Sequence, residues 1–198
     1  LKSDIDLILT VFPLYIQITF SLEEIKEGVI YAHYHNAKVY VTVNIVFHND
    51  ELEGLKEYLL YLDSINVDGI IASDITIMQL HKELNLKLEL HISTQANTVS
   101  YHTCKFWHRN GAKRIILGRE LNKKQIKDIM KNKPEDLDIE MFAHGALCFG
   151  YSGRCFLSEF LSARNGNLGD CSQLCRWAYN IYVEETNNPG NLMPVETD

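Results

Sequence analysis

Short apolar runs rich in β-branched residues alternate with amphipathic stretches along most of the chain. This alternation constrains the fold more than any other feature. Residues 38–45 read as a strand, followed by 69–72, 86–92, 114–117 and 139–142, with a weaker run at 181–183. Each is short, apolar and bounded by turn formers, as strands are. The stretches between them carry helix starts. Ser21 with Glu24 forms a capping box, in which the serine binds an orphan backbone N–H and the glutamate reaches back. Asp50 with Glu53 and Asn122 with Gln125 give similar starts. Asn110-Gly111 ends the helix around Phe106 and Trp107, because glycine accepts the left-handed conformation after a helix. Residues 187–190 (NNPG) read as a loop. Strand alternating with helix means a parallel sheet, closed into a barrel or open and doubly wound.

The strand ends favour a barrel. Asn44, Ser73 with Asp74, His91 with Ser93 and Gln95, Arg119 with Glu120, and His144 all stand where an apolar run finishes. In a parallel barrel those ends converge on the face that holds the ligand. No glycine-rich dinucleotide fingerprint or P-loop supports the alternative. Six strands in 198 residues fall short of the eight in about 250 of a complete barrel, so the fold class is α/β with an incomplete TIM-like barrel, or a fragment of one. No internal boundary divides residues 1–198, which read as one domain.

The apolar run at 7–20 is too short to span a bilayer and is broken by Pro13 and Gln17. It lacks a basic leader, since Asp4 and Asp6 follow Lys2, and reads as a buried strand and loop. The expectation is a cytoplasmic protein with no membrane partner. Five cysteines, an odd number, argue against a disulfide framework. A net charge of −7 excludes nucleic-acid binding by bulk charge and requires a local basic patch for any such contact.

Four of the cysteines crowd one segment, 148–175. Cys148, Cys155, Cys171 and Cys175 are separated by six, fifteen and three residues. Thiolates suit iron–sulfur clusters or zinc. Structural zinc favours paired short spacings, so the spacing ranks an iron–sulfur cluster above zinc. Glycines 145, 150, 153, 166 and 169 let the backbone turn around such a centre. Cys104, between aromatic residues in a helix, reads as a small buried hydrophobe. His91, His144 and Glu140 are the candidate acid–base residues, the two histidines being equally compatible with structural roles. Asn44, Ser93, Gln95 and Arg119 are candidate substrate contacts. Arg154, Arg164 and Arg176 flank the cysteines, where they suit phosphate or carboxylate. Phe149, Tyr151 and Trp177 are able to stack on a base or to pack around a centre. No HExxH motif is present, and His33 and His35 read as surface residues.

At these residues the chain resembles the collagenase-like "unclassified" peptidases, family thirty-two of that series. Glu140, Phe142, Gly145, Ala146, Leu147, Cys148, Gly153, Cys155 and Ser158 match its signature. The likeness extends to Ser21 with Glu24, residues 40–44, 93–97, 111–114 and 119–121, and Cys175-Arg-Trp177, covering 21–185. The resemblance implies a TIM-like barrel and a [4Fe–4S] cluster on the four cysteines. It also implies one of three activities: hydroxylation of a tRNA wobble uridine or a ribosomal RNA cytidine, collagenase-like proteolysis, or a non-catalytic place in a hydroxylation complex. A small carboxylate such as prephenate and a paired family subunit are implied partners. The chain departs from the family in its opening segment, in the later barrel strands and in the C-terminal domain.

Overall fold

A computed structural model describes residues 7–10, 20–45, 47–49, 52–144, 148–151, 154–180, 182–184 and 186–194. Six strands form one parallel sheet in strictly sequential order: β1 Leu7–Thr10, β2 Val39–Thr42, β3 Gly69–Ala72, β4 Glu89–Ile92, β5 Ala112–Ile116 and β6 Asp138–Glu140. Helices α1 Leu22–Tyr34, α2 Leu55–Ser64, α3 Ile75–Glu83, α4 Tyr101–Arg109 and α5 Lys123–Asn132 link them. Among the described residues no pairing joins β6 to β1, so the sheet is open; an incomplete TIM-like barrel was expected, and no closed barrel is formed.

Right-handed crossovers in sequential order put every helix on one face of the sheet. The main core lies there. It joins Ile25 and Val29 of α1, Leu59 and Leu62 of α2, Ile77 of α3, Trp107 of α4 and Ile129 of α5 to Val41, Ile70, Leu90, Ile92 and Ile115 of the strands. Each fully buried side chain of this size contributes about 1.5–3 kcal/mol. Alternation turns the remaining strand residues to the other face, where Tyr40, Ile71 and Ile116 form a small second cluster. His91, Arg114 and Asp138 stand level with Ile71 by strand register, and Glu140 with Ile116.

Three consecutive helices end the same way. Asn36, Asn66 and Asn85, with φ of 58°, 61° and 49°, follow α1, α2 and α3, and Gly111 at φ 96° follows α4. Asparagine is the residue other than glycine that most readily takes this left-handed position after a helix. The capping boxes at Ser21 and Asn122 are both formed.

Three expectations are corrected. First, α2 opens at Leu55 after Gly54, where the periodic run Leu55, Leu59, Leu62 begins, and not at 50–53; Asp50 and Glu51 lie outside the described residues. Second, β4 begins at Glu89, because the N–H groups of Lys87 and Leu88 donate to Asp63 Oδ1 at 2.7 and 2.9 Å instead of to a ladder. Third, the run near 181 does not extend the parallel sheet: β7 Tyr182–Glu184 pairs antiparallel with β8 Leu192–Pro194 around the turn at 187–190. The strand expected in the first segment is present as β1; Asp4, Asp6, Pro13 and Gln17 lie outside the described residues. No helix among the described residues is long and apolar enough to cross a membrane.

Candidate metal centre and its neighbouring cavity

The chain beyond β6 folds over the C-terminal ends of the strands. It contains Cys148, a tight Tyr151–Arg154 bridge, Cys155, the short helix α6 Leu157–Ser162, and two 3-10 turns around Cys171 and Cys175. All four cysteines line one cavity of about 420 Å³, together with Gln95 and Arg176. Three of the sulfurs accept a backbone N–H from two residues on: Cys148 from Gly150 at 3.3 Å, Cys155 from Leu157 and Cys171 from Gln173 at 3.4 Å. Gly150 lets the backbone close in: a Cβ there would lie 3.1 Å from both Cys155 Cβ and the Arg154 carbonyl oxygen. Cys104 lies apart, fully buried in α4, where burial pushes its thiol up to about 11.

Among the described residues no three His, Cys, Asp or Glu side chains converge tightly enough for a single ion. In a mononuclear zinc site thiolates at 2.3 Å from the metal stand roughly 3.8 Å from one another. The 420 Å³ space that the four thiols line has room for a polynuclear group.

The cysteine segment is tied to the sheet from below. Arg119, in the loop after β5, donates to the carbonyls of Cys148 and Gly150, and Asn97 donates to Tyr151 Oη at 2.7 Å. Ser158 is buried. Its hydroxyl meets Ser172 Oγ at 2.7 Å and accepts the Ser172 N–H at 2.9 Å, locking α6 against the Cys171 turn. Sequence reasoning matched Ser158 to a signature without giving it this task. Asn44 donates to Ser93 Oγ at 2.8 Å across the ends of β2 and β4, and Gln95 carries that loop into the cysteine cavity.

A second cavity, about 710 Å³, backs onto the first. Arg154, Phe156, Asn165 and Asn167 line it, whereas Cys155, Leu157 and Gly166 line the cysteine cavity. The same two stretches of backbone therefore wall both. His48, Ser73, Asp74 and Glu159 contribute its other polar groups.

The expected acid–base residues border neither cavity. His91 is the penultimate residue of β4. It is buried on the inner face of β4, bonded to Glu89 Oε2 at 2.9 Å and packed on the Tyr40 ring. Burial lowers its pKa, and the Glu89 hydrogen bond opposes this. Glu140 pairs with Arg114 at 3.7 Å. His144 is exposed in the loop after β6 and, like His91, lines neither cavity. Arg164 is bound to Asp170. Of the three flanking arginines, Arg154 and Arg176 face cavities. His33, expected at the surface, is partly exposed and bonded to Asp68 at 2.8 Å. The signature residues Gly145, Ala146, Leu147 and Gly153 lie outside the described residues.

The family model described as peptidase family U32 matches residues 15–196, nearly the whole chain. The chain belongs to peptidase family U32. Among curated U32 relatives, a tRNA hydroxylation protein of Bacillus subtilis is 43% identical over 85% of this chain and 40% of its own length. The tRNA hydroxylation protein P of Escherichia coli is 39% identical over 88% of this chain and 38% of its own length. A 23S rRNA 5-hydroxycytidine synthase of Escherichia coli is 41% identical over 81% of this chain and 24% of its own. The chain thus spans about 40% or less of these relatives. A solved U32 peptidase superposes with a TM-score of 0.58 at 17% identity, covering 71% of this chain and 60% of that one, a likeness of fold.

Proposed function

We propose that this U32 chain is the cluster-binding part of an RNA-hydroxylating protein, with a [4Fe–4S] cluster on Cys148, Cys155, Cys171 and Cys175 and a tRNA wobble uridine as substrate. One observation carries the reading: four thiols line a single cavity, three of them already accepting an amide N–H. Zinc is the alternative, ranked second by the six-, fifteen- and three-residue spacing of the cysteines. A bound cluster supplies electron transfer or, with every iron ligated, a rigid scaffold. The protein's own residues do the rest: Arg119 and Ser158 hold the loops in register, and Gln95 and Arg176 close the rim of the cavity.

Two relatives are named for hydroxylation of tRNA and one for a hydroxycytidine in ribosomal RNA, which supports an RNA substrate; the family's peptidase label and a 45%-identical relative of Methanocaldococcus jannaschii named as an uncharacterized protease support the alternative. The expected acid–base residues His91, His144 and Glu140 border neither cavity, whereas His48 lines the larger one beside Ser73 and Asp74, which keeps a peptidase as the alternative reading. The sequential strand order with all helices on one face supports a partial barrel. Cytoplasmic residence, prephenate as a co-substrate and a paired family subunit belong to the same reading.

The test is to delete the gene and measure hydroxylated uridine in bulk tRNA by mass spectrometry, then complement with wild type and with Cys148→Ala. Loss of the modified nucleoside, rescued by wild type alone, is expected. Undiminished modification in a deletion strain lacking other family members overturns the RNA reading. Full rescue by Cys148→Ala removes the cluster from it.

A further inference from the structure

The 710 Å³ cavity behind the cysteine wall has the chemistry of a base-binding site. Ligand pockets span about 300–1,000 Å³, so it has room for a nucleotide. Asn165 and Asn167 have their carboxamides oriented by the backbone. Asn165 Oδ1 accepts the Asn167 N–H at 3.0 Å, and Asn167 Oδ1 accepts the Cys155 N–H at 3.2 Å. With each oxygen fixed on a donor, the NH2 group of each is the end left to donate. Phe156 is 72% exposed and lines the same cavity, offering a ring face to a partner. Asp74 already accepts the Phe47 and Thr76 N–H groups as the cap of α3, so the Glu159 carboxylate stands against the Arg154 guanidinium, with His48 in the same lining. That balance favours a neutral group with its own N–H donor. A pyrimidine ring meets every demand: carbonyl oxygens for the two amides, a ring or exocyclic N–H for a carboxylate, and a π face for Phe156.

We propose that an unpaired pyrimidine of the RNA substrate enters this cavity, stacked on Phe156 and held at its carbonyl oxygens by Asn165 and Asn167, with Arg154 meeting the backbone phosphate at the rim. This rests on the RNA-hydroxylation reading. The base then lies one backbone thickness from Cys155, whose own amide is bound by Asn167.

The test is titration of the full chain, with its metal retained, with a fluorescent oligouridylate at fixed salt. Two variants change the cavity without touching a cysteine. Phe156→Leu keeps bulk but removes the stacking face. Asn165→Asp keeps the oxygen that accepts the Asn167 N–H and removes the donor. Each is expected to weaken binding roughly tenfold, with an unchanged salt slope and an unchanged metal content. Wild-type affinity in both variants overturns the site, even where the deletion strain has lost its modified uridine. No binding by the wild-type chain also overturns it. Weakening that tracks with lost metal in both variants assigns these residues to the wall alone and rejects the base site. Failure of the RNA reading itself shows separately, as undiminished hydroxyuridine in the deletion strain.

Discussion

Arg119 Nη1 donates to the carbonyl of Cys148 at 2.9 Å, and Nη2 of the same guanidinium donates to Gly150 at 3.0 Å, so one side chain from the end of β5 holds both sides of Phe149. The sequence suggests a substrate contact here; the geometry makes Arg119 a positioning residue for the cysteine loop. A hydrogen bond to a charged group contributes about 1.5–3 kcal/mol. Arg119→Ala is expected to lower iron and sulfide per chain after anaerobic purification while the far-ultraviolet circular dichroism stays unchanged. Full metal content in the variant would show that the loop stands without it.

Thiol reactivity separates the fifth cysteine from the other four. Burial raises the Cys104 thiol to about 11, whereas Cys148, Cys171 and Cys175 are exposed and Cys155 half-buried. In metal-free protein near pH 8, iodoacetamide is expected to modify the clustered four within minutes and to spare Cys104 until denaturant is added. Peptide mass spectrometry reads the pattern. Early alkylation of Cys104 would contradict its placement in the core.

Gly69 is a tight point of the inner face. A Cβ there would stand 2.8 Å from the Glu89 carbonyl oxygen and 3.2 Å from the Tyr40 ring. Gly69→Ala must push β3 off β4 or move Tyr40, a strain of about 1–3 kcal/mol. A drop in the urea midpoint is expected. An unchanged midpoint would mean that the sheet yields at no cost.

His91 sets a pH dependence. Burial holds its imidazole below the usual range, against the pull of Glu89. The unfolded chain therefore takes up the proton first. Stability is full above the unfolded value of about 6.5 and declines as pH falls through the folded value. Urea midpoints are expected to fall between about pH 7 and about pH 5, and less steeply in His91→Gln. Equal slopes in the two proteins would assign the effect to other groups.

What was legible in the sequence was local. The strands at 39–42 and 69–72 and the Ser21 box depend on side-chain periods and on partners three residues away, and both kinds of signal are written along the chain. The cysteines were legible because thiols are rare and four lay together. The cavity walls were not, because they depend on which side of the backbone a residue takes: Cys155 and Phe156 are neighbours that face different spaces. The burial of His91 was hidden for the same reason, since apolar runs do not announce which strand residue turns inward. Arg119 and Ser158 gained their tasks from partners 29 and 14 residues away. The left-handed asparagines at 36, 66 and 85 were readable in principle, each standing just before an apolar strand.

The inner face of the sheet limits how a chain of this kind can be elaborated. Glu89, His91, Arg114, Asp138 and Glu140 share it with three apolar residues. An amphipathic helix laid across that face would strip water from all five ionisable groups at once, a desolvation that apolar contact does not offset. New sequence is therefore accommodated by curling the sheet or by lengthening the loops at its strand ends, not by a third layer. That directs insertions, fusion points and affinity tags to the helix-side turns, where Asn36, Asn66 and Asn85 already reverse the chain in solvent.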